Sequence, residues 1–177
     1  MSLKIATIGN GCFWCTEAVF LHLRGVISVK SGFSGGSIKN PGYKEVTTGR
    51  TGHAEVIQIE FDEQLISFKK LLSVFFSTHD PTTLNRQGND IGTMYRSAIF
   101  YHDATQQKQA EEMIKELETG KIFSDVIVTE VTEFSAFYGA ESYHDSYFES
   151  HQQEPYCNMV INPKLQKFLK NFKSDLK

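Results

Sequence analysis

The run Leu3–Arg24, LKIATIGNGCFWCTEAVFLHLR, decides the fold because its periodicity changes midway. Leu3, Ile5 and, less cleanly, Ile8 keep a weak two-residue alternation, which predicts a short strand. Asn10-Gly11 breaks it. From Cys12 to about Arg24 the apolar body of Ala18, Val19, Phe20, Leu21 and Leu23 predicts a helix, with Gly25 as its stop. A strand feeding directly into a helix sets Gly11-Cys12-Phe13-Trp14-Cys15 at the junction, with Cys12 opening the helix.

Working outward, Val26–Phe33 reads as a second strand, with Ile27, Val29 and Phe33 on one face. Glycines crowd Ser34–Gly52, which predicts a long loop of the kind that carries function. His53–Asp62 is a third strand, where Ile57, Ile59 and Phe61 alternate with polar residues. Phe68, Leu71, Leu72, Phe75 and Phe76 form a helical stripe that Asp80-Pro81 ends. A polar loop over Thr82–Thr93 leads to a fourth strand, Tyr95–Tyr101. Asp103 caps a helix to about Thr119, with Gln106 in capping-box position and Gly120 as terminator. A fifth strand is expected over Val126–Val131, then aromatic loops, a short helix near Asp145 and a basic helix after Pro163. Strand-helix-strand-strand-helix-strand up to Tyr101 predicts an α+β fold, a ferredoxin-like split βαβ sandwich with a mixed sheet, long loops and a C-terminal extension. The chain is expected to be one domain over residues 1–177, with a core of about 3–162 and a terminal helix of about 163–175. The lysines of that helix (Lys164, Lys167, Lys170, Lys173) should be solvated, with Leu165, Phe168, Leu169 and Phe172 packing beneath.

Composition narrows the class. The chain is 40% hydrophobic with a net charge of −3, which gives no long basic face for nucleic acid. No apolar run approaches the roughly 20 residues that cross a bilayer, and the amino terminus has no signal-peptide core, so a cytoplasmic protein is expected. Cys12, Cys15 and Cys157 are too few, and odd in number, for a secreted disulfide framework.

A thiolate is the reactive form of cysteine, and a helix amino terminus lowers a thiol's pKa, which is the expectation for Cys12. Cys15 lies one turn on, on the same face, within reach where the turn distorts or unwinds locally, and such a pair can form a disulfide once one sulfur is oxidised. Two bland readings compete. The thiols are inert packing, or they are half of a zinc site, for which no second ligand pair at metal spacing appears; no metal is expected. Phe13 and Trp14 are adjacent and cannot both follow the thiol's direction, so at least one is available to line a cleft that suits a small apolar group such as a methyl.

GCFWC resembles the active-site motif of the A-type peptide methionine sulfoxide reductases. NPGYKEVTTGRTGHAEVIQIEFD, HDPTTLNRQGNDIGTMYRSAIFY and FYGAESYHDSYF resemble further segments of that family in its order, across roughly residues 5 to 162. The resemblance implies reduction of the S epimer of methionine sulfoxide, free or in proteins, with no bound cofactor and thioredoxin as external reductant. It implies that Cys12 attacks the sulfoxide sulfur, that Phe13 and Trp14 pocket the methyl, and that Glu55 protonates the oxygen. Tyr43 and Tyr95 match phenols that hydrogen-bond that oxygen, and Asp90 matches a polar residue of the substrate site.

The chemistry supports those roles. Sulfoxide oxygen leaves poorly until protonated, so an acid has to sit beside it. Glu55 shares the strand parity of Ile57, Ile59 and Phe61 and should face the core, where burial keeps a carboxyl protonated; a solvated strand-end glutamate is the alternative. Cys12 would become a sulfenic acid. Where the family commonly has glycine this chain has Cys15, so Cys15 is favoured as the resolving thiol over Cys157, whose surroundings do not match the usual glycine-rich tail. A general dithiol-disulfide oxidoreductase using Cys12 and Cys15 is the rival reading. The histidines are expected to be structural, with His144 orienting a loop near the site. A monomer is expected.

Overall fold

The computed structural model describes residues 2–141, 144, 151, 155, 159 and 162–177. Helix α1 (Phe13–Phe20) connects β1 (Leu3–Asn10) to β2 (Val26–Ser34), and a short helix, α2 (Tyr43–Thr47), precedes β3 (Ala54–Asp62). After α3 (Phe68–Ser77) come the two-residue strands β4 (Arg86–Gln87) and β5 (Asp90–Ile91) and a 3-10 turn over Thr93–Tyr95. Then follow β6 (Ser97–Tyr101), α4 (Ala104–Thr119), β7 (Glu130–Glu133), β8 (Tyr138–Gly139) and α5 (Asn162–Asn171).

The main sheet runs β7-β6-β1-β3-β2-β8, antiparallel throughout except for the parallel β6–β7 pair. Its four central strands, β6-β1-β3-β2, have the order of the split βαβ sandwich, with α1 and α3 as its two crossovers. Residue parity sorts the faces. Ala6 and Ile8 of β1 sit opposite Ile59 and Ile57 of β3, and these four join α1, α3, α4 and α5 in the main core. Ala54, Val56, Ala98 and Phe100 point the other way and pack with Phe134 and Phe137. Every residue of the α3 stripe is buried, and Ser67 caps that helix by accepting from the Lys70 amide at 3.0 Å.

Several boundaries differ from expectation. Helix α1 ends at Phe20, not near Arg24, because the chain then turns to bring Leu23 against Leu176. The fifth strand begins at Glu130, not Val126: its register follows the parallel partner Ala98, and Val126 and Val128 are left exposed. The fourth strand starts at Ser97, since Tyr95 belongs to the 3-10 turn. Asp103 caps α4 as expected, accepting from the Gln106 amide at 2.8 Å, while Gln106 accepts from the His102 amide at 2.9 Å. Gly120 ends α4 in a right-handed conformation, and Lys121 takes the positive φ instead. The short helix expected near Asp145 lies outside the described residues.

Candidate active site

Gly11 makes the corner between β1 and α1 with φ +109°, and a Cβ there would stand 2.9 Å from the Gln87 side chain. That close approach seats the β4–β5 hairpin over the cysteine motif. Gln87 is itself pinned to both backbone groups of Asp80, accepting from its amide at 2.9 Å and donating to its carbonyl at 2.8 Å. Cys12 is the N-cap of α1, and its carbonyl accepts from the amides of Cys15 and Thr16. Both thiols are buried.

The thiol's electrostatics reverse the expectation. Burial, then the Cys15 side chain, then the negative charge of Glu55 push the Cys12 pKa well above its ordinary value, and the Trp14 amide opposes them only weakly. The helix terminus is real, but one turn of amide dipole does not offset removal from water. Cys12 therefore rests as a thiol.

Glu55 is turned into the core, as its parity requires, and is 1% exposed. Its Oε1 accepts from the Phe13 amide at 3.1 Å, tying β3 to the first residue of α1. Among the described residues Oε2 has no hydrogen-bond partner. Burial raises the carboxyl to a pKa of about 8, and the charges of Asp90 and Cys15 add to the shift against the Phe13 amide. At neutral pH this is a neutral acid with one oxygen uncommitted.

Tyr95 faces the same point. Burial, Glu55, Cys12 and Asp90 all raise its pKa, so it stays a phenol. Its turn is held by Arg96, which donates to Thr93 O at 2.9 Å, Gly52 O at 3.0 Å and Glu130 Oε1 at 2.9 Å. On the other side Phe13, fully buried, lies 6.1 Å from the Tyr43 ring, and Trp14 lies 6.2 Å from it. Tyr43 opens α2, the short helix that the glycine-rich loop conceals in sequence.

Cys12, Cys15, Glu55, Tyr43, Tyr95, Asp90, Phe13 and Trp14 are thus brought together, and Cys157 lies outside the described residues. Sequence reasoning passed over Arg96 and Gln87, whose polar side chains stand in the segment HDPTTLNRQGNDIGTMYRSAIFY. It also gave no contact for Glu141 and His144. The imidazole Nδ1 of His144 accepts from the Trp14 indole at 3.1 Å, and Glu141 lies 3.2 Å from its Nε2.

A neutral acid, a phenol and a buried thiol around one point, beside an aromatic pocket, suit transfer of an oxygen from a small methylated group to sulfur. The family described as peptide methionine sulfoxide reductase matches residues 4–176. The peptide methionine sulfoxide reductase MsrA of Saccharolobus solfataricus is 54% identical over 99% of this chain and 98% of its own. Reduced Mxr1 from Saccharomyces cerevisiae superposes with a TM-score of 0.82 at 33% identity, over 88% of this chain and 90% of that one. Mxr1 in complex with Trx2 superposes at 0.58 and 24% identity, over 82% and 85%, a likeness of fold alone. The match reaches through α5, beyond residue 162, the expected end of the resemblance. The chain belongs to the peptide methionine sulfoxide reductase family.

Proposed function

We propose that the protein reduces the S epimer of methionine sulfoxide, free or in proteins, to methionine, as one reductase domain over residues 1–177 acting as a cytoplasmic monomer without a bound cofactor. The observation that carries the reading is buried Glu55 at the cysteine motif, whose Oε1 accepts from the Phe13 amide while its Oε2 has no hydrogen-bond partner among the described residues, burial favouring the protonated carboxyl.

The substrate methyl sits among Phe13, Trp14 and Tyr43, and the sulfoxide oxygen lies at Glu55 Oε2 with the Tyr43 and Tyr95 phenols donating to it. Asp90 borders the substrate site, and its charge adds to the burial that keeps Glu55 protonated. Cys12 sulfur bonds to the substrate sulfur as Glu55 gives its proton to the oxygen, and the proton leaving the Cys12 thiol restores the carboxyl. The S–O bond of the substrate then breaks, its oxygen passes to Cys12, and methionine departs. The sum is thiol plus sulfoxide giving sulfenic acid plus thioether, with Cys12 oxidised by two electrons. Cys15 next displaces water from the sulfenic acid, forming the Cys12–Cys15 disulfide, and thioredoxin's dithiol reduces that disulfide while becoming one itself. Cys15, one turn from Cys12 on the same helix, is favoured over Cys157 as resolver. Thioredoxin comes to this chain with the family and with the Mxr1 complex.

Epimer choice follows from three fixed directions at a pyramidal sulfur. With methyl in the aromatic pocket, oxygen on Glu55 and the thiol opposite, only one epimer sends its carbon chain outward; the other would drive the chain into the space beside buried Phe13. Reduced protein supplied with dithiothreitol and each epimer should consume the S form and spare the R form. Failure to turn over the S form would end this reading, and reduction of insulin disulfides without sulfoxide turnover would replace it with a general dithiol oxidoreductase.

A further inference from the structure

We propose that Thr16 and Asn10 are positioning residues that hold the turn between β1 and α1 in the shape the Cys12–Cys15 disulfide needs, an inference that rests on Cys15 being the resolving thiol. Asn10 is the last residue of β1, and Thr16 closes the first turn of α1. Both side chains are polar, yet Asn10 is 6% exposed and Thr16 2%. The Thr16 hydroxyl donates to Asn10 Oδ1 and reaches the Cys12 carbonyl at 3.2 Å. The neighbours fix the direction of each bond. Asn10 Nδ2 can only donate, and it meets the Thr78 hydroxyl at 3.5 Å; that hydroxyl gives its own proton to Val74 O at 2.8 Å. The amide oxygen of Asn10 is thereby turned to Thr16. Asn10 also pairs with Ser97 of β6, so the bridge ties the first turn of α1 to the sheet and, through Thr78, to the end of α3.

The bridge spans Gly11 and Cys12, the part of the motif least able to hold itself. Gly11 has φ +109° and no side chain, and Cys12 keeps the non-helical backbone of a cap. The Cys12 carbonyl accepts from the amides of Cys15 at 3.1 Å and Thr16 at 3.3 Å. Thr16 joins that carbonyl to the end of β1 through one hydroxyl, so Cys12 cannot drift from Cys15 without breaking the bond. Resolution joins the Cys15 sulfur to the Cys12 sulfur and breaks the S–O bond of the sulfenic acid, whose hydroxyl leaves with the Cys15 proton as water. Both the rate of that step and the stability of its product depend on how well the two sulfurs are held together beforehand. A turn already fixed loses little freedom when the disulfide closes. The sulfoxide is oriented instead by Glu55 and the aromatic rings, with Glu55 tied to the Phe13 amide at 3.1 Å, so the first step makes no use of the bridge. Neither Thr16 nor Asn10 is asked to touch the reacting atoms.

Thr16→Val keeps the shape of the side chain and removes the hydroxyl. Methionine release in a single turnover without reductant should stay within about twofold of wild type, while the sulfenic acid trapped by dimedone should persist about fivefold longer. In a glutathione redox buffer, where oxidised glutathione takes the two electrons of the thiols, the Cys12–Cys15 disulfide should be about fivefold less stable, a potential about 20 mV less negative. Thr16→Ser, which restores the hydroxyl, should recover both. Asn10→Ala removes the acceptor and should match Thr16→Val, and the double variant should be no worse than either, because all three lose the same bond. Wild-type persistence or a wild-type potential in Thr16→Val overturns the proposal, and so does a fall in melting temperature that moves neither. Methionine release slowed as much as closure also overturns it, since the bridge would then aim Cys12 at the substrate. Should Thr16→Val be insoluble, Asn10→Ala decides by the same two readings. The glutathione titration needs no sulfoxide. Peptide mapping that finds Cys12 joined to Cys157 after one turnover would therefore refute Cys15 as resolver while the titration still decides the bridge.

Discussion

Glu55 makes two opposed demands on the molecule. As the acid of the proposed reaction it has to hold a proton at neutral pH, and the core supplies that by burying it. The same burial costs stability once the pH exceeds the carboxyl's ordinary range. The unfolded chain gives up this proton near pH 4.5, whereas the folded protein keeps it to about 8. Between those values the folded state binds one proton more, so stability falls as pH rises and levels off above about 8. The contribution is on the order of 4 kcal/mol, moderated by local relaxation. Glu55→Gln removes the titration while keeping an acceptor for the Phe13 amide. Its urea midpoint should therefore exceed that of wild type by much more at pH 9 than at pH 5; parallel profiles would mean that Glu55 escapes to solvent. In single turnover, Glu55→Ala should slow methionine release about a thousandfold, and Glu55→Gln less, because its amide still donates to the oxygen. Equal rates for the two would rule out hydrogen bonding as Glu55's contribution.

At the scale of elements, α1 sets the spacing on which the proposed resolution of oxidised Cys12 by Cys15 depends. Residues three apart in a helix hold their Cα atoms ~5 Å apart, inside the span that a disulfide bridges. Cys12 is the cap and not a full helical residue, so its side chain can swing toward Cys15 without unwinding the helix. Cys15→Ser should still release one methionine per chain and then stall with thioredoxin, a burst without turnover in a stopped assay. Undiminished cycling would pass the resolving role to Cys157. The elements also show what was readable in the chain. The Phe68–Phe76 stripe and the parity of Glu55 with Ile57 were legible because a local period encodes which face is buried. Helix α2, the β4–β5 hairpin and β8 were not, since elements of five and two residues carry no period and exist through what they pair with. The Cys12 thiol was misjudged for the same reason. The helix end beside it is local and visible in sequence, whereas its burial and the charge of Glu55 arrive from β3, 43 positions further on.

For the whole molecule, the end of the chain stabilises the motif at its beginning. Helix α5 packs on α1, with Leu165 and Phe168 in the main core and its exposed face carrying Lys167 and Lys170. Beyond it the backbone is stitched to the segment after α1: Arg24 N–H donates to Asp175 O at 2.9 Å and Lys177 N–H to His22 O at 3.0 Å. Lys70 of α3 adds an ion pair to Asp175 at 3.6 Å, which is half-exposed and of small weight. The apolar contact is what counts. Phe168 is 1% exposed and stacks 5.4 Å from Phe172, so Phe168→Ala leaves a cavity behind α1 that neighbouring helices can only partly fill. A loss of about 3 kcal/mol is expected, which for a chain of this size lowers the melting temperature by roughly 10 °C. Glu55, Tyr43 and Tyr95 reach the cysteine motif from β3, α2 and the 3-10 turn, whereas α5 packs chiefly on α1. Methionine release in a single turnover at 25 °C should therefore be unchanged while melting falls, and scanning calorimetry beside the single-turnover assay separates the two. A melting temperature within about 2 °C of wild type would mean that α5 only rests on the core; a slowed first turnover would mean that α1 needs α5 to aim Cys12.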